Sequence, residues 1–367
     1  MPPSPELRVL LLALRPEREP ARARLAPLLP AVRWERLLGL ARAHGASALL
    51  HALLSDAGAV PPAAREELAE RARLAAARAL LQRDQARRVV DLLAARGVEA
   101  LVLKGPALAA RWESPALRES GDLDLLVRRR DAARAWAALL EAGWREALPV
   151  APRARRAVLR TEREHPFTGG GALPLDLHWG LFDPHSWPAP GEEDLWGRAE
   201  PFEAGLRGLG RADALLFLCQ HGAKHLWERL VWMADLARLA PGAPWGEVRA
   251  AARARGAERA LDLALRLGRE ALDLSLPPEE ASGGDHPALV PALRATRAAW
   301  EGGAPPTPQA ALRLQLRLRA GARDRLRLAL GELLLPTAEE RALLPLPAPL
   351  DPLLAGLRLL RLTLKHT

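Results

Sequence analysis

Apolar positions recur at helical spacing through residues 5–95. In RVVDLLAARG (88–97) that pattern ends at Gly97, a helix-stop signal. VEALVLKG (98–105) then changes character. It is short, apolar, rich in Val and Leu, and it stops at Gly105, which predicts a buried strand. PALAARW (106–112) predicts a short helix with Pro106 at its first position. SPALRESG (114–121) reads as a loop and DLDLLVRR (122–129) as a second strand. DAARAWAALLEAGW (131–144) has the pattern of an amphipathic helix opened by Asp131 and closed near Gly143. EHPFTGGGALPLDLHWGL (164–181) predicts two strands joined by a Gly-rich turn.

These signals divide the chain into a helical region over 1–97, a mixed α/β core over 98–185 and a mostly helical region over 186–367. RADALLFLCQHGAKHLWERLVWMADLARLA (211–240) is the clearest helical stretch of the last part. Gly/Pro-rich breaks follow at 241–246, 282–287 and 302–308. LRLQLRLR (312–319) alternates with period two, but its helical flanks assign it to a helix. No fixed-period repeat is evident. The expected fold class is α+β: a small mixed β-sheet core flanked by N-terminal and C-terminal helical regions.

Composition narrows this picture. The chain has 367 residues, 49% hydrophobic and 26% charged, enough for packed cores and against wholesale disorder. Cys219 is the only cysteine, so an intramolecular disulfide framework is excluded. The N-terminal segment lacks a basic n-region and a cleavage site, and no stretch reaches the roughly 18 apolar residues of a spanning helix. A cytoplasmic protein without a transmembrane segment is expected. The net charge of +9 suggests a nucleic-acid partner, but the arginines are spread along nearly every helix instead of forming one tract. Only three lysines occur, Lys104, Lys224 and Lys365. The first two fall in segments with candidate chemistry, where a compact point charge differs from an arginine fork.

That chemistry centres on SGDLDLLV (120–127). In a strand Asp122 and Asp124 point the same way, while Leu123 and Leu125 point into a core. Two carboxylates on one face repel unless a cation lies between them, and hard oxygen ligands suit Mg²⁺ (or Mn²⁺) with substrate phosphates completing its shell. LPLDLHW repeats the pattern: Asp176 and His178 share one face, and Leu175, Leu177 and Trp179 the other. If the two strands are neighbours, three acids meet and can hold two metals. The opposing reading of D-x-D is a solvated strand face. Gly121 before the pair admits close approach of a ligand to the backbone. The Lys104-Gly105 junction upstream opens a helix whose N–H groups face phosphates.

LVLKGPALAARW, LRESGDLDLLV, LDLHW and LCQHGAKHLWERLVWMADLARL together resemble a bacterial family of predicted nucleotidyltransferases in the polymerase-β-like superfamily. The resemblance is specific over about 98–240. It implies that Asp122 and Asp124 bind metal, that Asp176 is a third acid helping to activate an acceptor hydroxyl, and that the turn after the first strand cradles an NTP such as ATP. The sequence departs from the superfamily form at that turn, where Lys104-Gly105-Pro106 replaces a Gly-Ser or Gly-Gly pair. Proline removes one N–H donor, and Lys104 could supply the missing charge. The implied reaction is NMP transfer from an NTP to an unknown acceptor, a small molecule, protein or RNA. Two rivals stand beside it, a catalytically inactive nucleotide-binding regulator and a nucleic-acid-binding protein.

His221 and His225 have zinc-ligand spacing, but Gly222 stands where a metalloprotease has its glutamate. With Glu228, Trp232 and Asp235 they instead form a polar stripe on one helical face, close to Lys224. Such a stripe is either a satisfied buried network or one wall of a cleft. Facing the metal site, His221, Lys224 and His225 would contact phosphates or acceptor. Arg118, in the loop before the acids, is a further phosphate candidate. Trp112, Trp144 and Trp179 are assigned to the core.

Overall fold

The computed structural model describes residues 2–171, 173–183, 185–188, 191–281, 286–302, 306–344 and 353–358. Lys365 lies outside them. Seven strands form one mixed sheet: β1 (Ala100–Val102), β2 (Leu123–Val127), β3 (Arg145–Glu146), β4 (Glu164–Thr168), β5 (Leu175–His178), β6 (Glu200–Glu203) and β7 (Leu206–Gly208). Their spatial order is β3-β4-β5-β2-β1-β7-β6. β2 pairs antiparallel with β1 and parallel with β5, while β4 and β5 form an antiparallel pair.

Strand parity sorts the side chains between two cores. Leu123, Leu125 and Val127 join Leu175, Leu177 and Trp179 in one, against Trp136 and Leu139 of the helix Ala132–Glu141. Leu101, Leu103 and Leu126 face the other way, into a larger core built with the N-terminal and C-terminal helices. Asp124 and Leu126 share parity, so Asp124 faces the larger helical layer. All five residues of β2 are buried, hence a carboxylate on this strand must be paired.

The helix Pro62–Ala94 has 33 residues, about 50 Å at the standard rise. It places Ala64 and Leu68 in the larger core and Ala86, Val89 and Leu93 in the other. Two buried glutamines near its C-terminal end reach the loops that carry the acids. Gln82 Nε2 donates to Ser120 Oγ at 3.1 Å and to the carbonyl of Asp122. Gln85 clamps Leu173 from both sides, donating to its carbonyl at 2.8 Å and accepting from its N–H at 3.0 Å.

Two expectations are corrected. The sheet does not end before residue 186, because the hairpin β6–β7 adds to it beside β1. Its short outer strand is mostly polar and carries no apolar alternation; Gly205, with φ 76°, was its one local mark. The stretch 211–240 is not one helix but two, Arg211–Lys224 and Leu230–Leu239. Between them Leu226 and Trp227 adopt left-handed φ of 51° and 52°, a conformation costly for side-chain-bearing residues. Tertiary contacts impose it. Thr296 Oγ1 donates to the Leu226 carbonyl at 2.7 Å, and Trp300 Nε1 to the Trp227 carbonyl at 2.7 Å. LRLQLRLR falls in the helix Pro308–Arg317 and its C-terminal edge, as expected.

Candidate active site

β2 and β5 run parallel and in register, with Asp124 opposite Asp176 and Leu126 opposite His178. Parity then turns both carboxylates and the imidazole to the same side of the sheet. Asp124, Asp176 and His178 each offer a ligand atom, all within 4.8 Å of one another. Asp124 is 1% exposed, and its Oδ2 has no hydrogen-bond partner among the described residues. A buried carboxylate oxygen without a donor fits a cation. Asp122 precedes the first residue of β2 and stands outside this group, yet it lines the same cavity as Asp124.

Cations from the protein surround Asp124. Lys104 Nζ, just past β1, is 2.9 Å from its Oδ1, and His178 Nε2 is 3.1 Å from the same oxygen. The other ring nitrogen of His178 lies 2.9 Å from Glu164 Oε2, on the neighbouring β4. Burial opposes ionisation of Asp124, but Lys104 and His178 outweigh it and hold the carboxyl well below the usual range. Burial likewise opposes the charge of His178; Glu164 and Asp124 outweigh it and push the imidazole up to about 9. At Asp176 burial and then Asp124 outweigh the lowering by His178 and push the carboxyl up to about 6. Burial and the charge of Asp124 also raise Asp122. The group therefore stores like-charge repulsion at Asp122 and Asp176 that a divalent cation would relieve.

A cavity of about 270 Å³ opens over Asp122 and Asp124. Of the other residues singled out in the sequence, Lys104, Arg118, Gly121, His221, His225, Glu228 and Trp232 line it. The helix break has not dispersed the polar stripe. The His221 and His225 ring centroids are 4.8 Å apart, and Trp232 packs on His221 at 4.9 Å. Burial, then Lys104, holds His221 well below the usual histidine range, so its ring is neutral. Burial, then Lys224 and Lys104, brings His225 to about 4.

Other candidates sit differently. Arg118 is wholly engaged by Asp235, Nε to Oδ1 at 2.8 Å and Nη2 to Oδ2 at 2.9 Å, and Trp112 Nε1 donates to the same carboxylate at 3.0 Å. Asp235, the last residue of the stripe, thus belongs to a satisfied buried network at the cavity edge. Lys224 pairs with Asp183 at 2.9 Å and is not among the residues lining the cavity. Gly105 has φ 52° and ψ −114° before the helix Pro106–Ala109, and a Cβ there would meet Gln82 at 2.7 Å. Its role in the structure is to let the chain turn beneath Gln82; the helix it opens is only four residues long. Gly121 faces open space.

Glu164, Gln82, Gln85, Glu119 and Arg229 were not singled out in the sequence. Glu164 could have been found: it opens β4 with the same parity as Pro166, across from His178. The glutamines bear no local signal, since their partners are 40 and 88 residues away.

No curated protein and no solved structure matches the chain. A family model described as "Uncharacterised nucleotidyltransferase" matches residues 30–273, a span that contains every strand, all three acids and both helices of the polar stripe. The chain belongs to this family of uncharacterised nucleotidyltransferases.

Proposed function

We propose that the protein transfers NMP from an NTP to an acceptor, with divalent metal, Mg²⁺ or Mn²⁺, held by the acids of β2 and β5. The observation that carries this reading is the register that sets Asp124 beside Asp176 with His178 next to them, leaving Asp124 Oδ2 without a partner. Bound metal would supply Lewis-acid stabilisation of the phosphates and, with two ions, a clamp on attacking and leaving oxygens. The residues would then divide the work. Asp124 and Asp176 would hold the metal, His178 joining them once it gives up its proton, and Asp122, at the cavity wall, would add a further carboxylate. Lys104, beside Asp124, would supply positive charge to the triphosphate. The acceptor oxygen forms a bond to the α-phosphorus, the bond from that phosphorus to the α–β bridging oxygen breaks, and pyrophosphate leaves with the electron pair. The acceptor proton passes to Asp176. The neutral His221 and His225 wall the cavity on the side of the helix Arg211–Lys224.

In this reading residues 1–97, 98–185 and 186–367 serve as N-terminal support, catalytic core and cleft-closing region. Among the described residues no helix is long and apolar enough to cross a membrane, and we place the reaction in the cytoplasm.

The test is a thermal-shift titration of wild type and Asp176→Asn with Mg²⁺ and each NTP. The substitution keeps shape and removes a charge that burial and Asp124 already disfavour, so the metal-free variant should melt no lower. Wild type should gain stability with Mg²⁺ and its NTP, about 2.7 kcal/mol at a hundredfold excess over Kd. The variant should gain little. Equal gains in both proteins would refute the metal site. A wild type that gains stability but transfers no label from NTP in cell extract would favour the inactive nucleotide-binding regulator.

A further inference from the structure

The cleft does not end at the acids. Glu119 and Ser120 line both the acid cavity and a second cavity of about 130 Å³. The far wall of the second is the helix Pro62–Ala94, through Arg71, Leu74, Ala75 and Arg78. These positions are three or four apart and so form one helix face. Arg71 Nε donates to Glu67 at 3.0 Å. Arg78 is exposed, and its side chain has no ion pair or hydrogen bond among the described residues.

Arg229 stands on the near side. It lines the acid cavity, its guanidinium has no ion pair or hydrogen bond among the described residues, and its Nε is buried without a partner. Its Nη2 packs close over Gly45, 2.8 Å from where a Cβ would lie. The turn that carries it contains the two left-handed residues Leu226 and Trp227. The remaining cations of the acid cavity are committed, Lys104 to Asp124 and Arg118 to Asp235. The guanidinium groups of the cleft without a hydrogen bond or ion pair among the described residues are therefore Arg229, close enough to Glu119 and Asp122 to act on their charges, and Arg78, one in each cavity, with Glu119 and Ser120 between. An unpaired buried guanidinium nitrogen is costly unless a ligand meets it, and two forks along one path suit an anionic group.

We propose that the second cavity is the acceptor subsite, and that it takes an acceptor carrying an anionic group beside a short apolar segment. Arg78 grips the anion, Leu74 and Ala75 cover the apolar part, and Arg229 stands in the acid cavity beyond Glu119 and Ser120, where the nucleophile faces the acids. The word acceptor rests on the nucleotidyl-transfer reading; the anion site does not.

Butyl phosphate, inorganic phosphate and butanol are titrated calorimetrically into the full chain, as wild type and as Arg78→Glu. Each protein is separately given Mg²⁺ and ATP in a thermal-shift assay. Arg78 is exposed and unbonded, so the variant should keep the wild-type melting midpoint. Wild type should bind butyl phosphate more tightly than inorganic phosphate, and butanol not measurably. Arg78→Glu should weaken butyl phosphate by about tenfold or more and leave the Mg²⁺–ATP shift unchanged. Equal butyl phosphate affinity in the two proteins would overturn the proposal. So would loss of the Mg²⁺–ATP shift in Arg78→Glu, which would make the second cavity part of the nucleotide site. A wild type with no Mg²⁺–ATP shift refutes ATP binding instead, and the butyl phosphate comparison still decides the anion site.

Discussion

Among the described residues neither ring nitrogen of His165 has a hydrogen-bond partner, and the wholly buried ring stacks on Trp136 at 4.1 Å. Burial pushes its pKa down to about 4, Glu146 opposing and Arg155 assisting. The unfolded chain takes up this proton near the ordinary histidine value, so between that value and 4 the unfolded state binds more protons. The stability held by the neutral ring is complete above the unfolded pKa and is lost as pH falls toward 4, by about 2–3 kcal/mol. His165→Phe keeps an aromatic ring on Trp136 and cannot protonate. Its melting midpoint should fall less than that of wild type between pH 7 and 4.5; parallel falls would show that another group sets the acid limit. At this scale the sequence was most legible for Asp124, Asp176 and His178, because strand parity is a local property; Asp122 falls just outside the strand. It was least legible for Arg118 and Lys224, since which carboxylate claims a cation depends on Asp235 and Asp183, which chain folding brings near.

At the scale of elements, the break between the helices Arg211–Lys224 and Leu230–Leu239 matters most. No Pro marks it, and the Gly inside the run serves another end. A Cβ on Gly222 would meet the Trp227 ring at 2.3 Å, so Gly222 makes room for the indole that closes the turn. Gly222→Ala forces that ring outward and should cost about 1–3 kcal/mol by overpacking, despite the higher helix propensity of alanine. It should also weaken Mg²⁺–NTP binding, because His225, Glu228 and Arg229 follow the turn into the cavity. Chemical denaturation and the thermal-shift assay would check both. A variant as stable as wild type would mean that the turn can repack freely. The helical character of both halves was plain in the sequence, but apolar periodicity continues through the break, so it could not be seen there. The hairpin β6–β7 was hidden for a related reason: short polar edge strands carry little pattern.

At the scale of the molecule, N-terminal and C-terminal helices close one core over the sheet face that carries the acids. Ser4 N and Arg36 Nη2 both donate to Glu301, each at 2.7 Å, and the buried His44 ring meets the Trp300 carbonyl at 3.1 Å. Thr296, Trp300 and Glu301 all lie beyond the family match, which ends at 273. A chain ending at Ala281 loses the buried Trp300 and both donors to the strained turn, and should lose at least about 3 kcal/mol. Circular-dichroism melts and size exclusion would show it melting lower or aggregating, with a smaller Mg²⁺–NTP shift. An unchanged midpoint would mean that the family segment holds the turn by itself.

By itself the sequence determined the class of fold and a pair of strands that each turn polar, acid-bearing positions to one face. These follow from periods of two and 3.6, which depend only on neighbours along the chain. Tertiary structure alone decided that the two strands are parallel neighbours in register, so that Asp124 meets Asp176. It also decided that His178 joins them, that Lys104 neutralises Asp124 while Lys224 does not, and that Arg229 lines the acid cavity with no hydrogen bond or ion pair among the described residues. Each is a pairing between residues far apart in sequence, and the free energy of a buried charge is set by the partners that packing brings within a few ångströms.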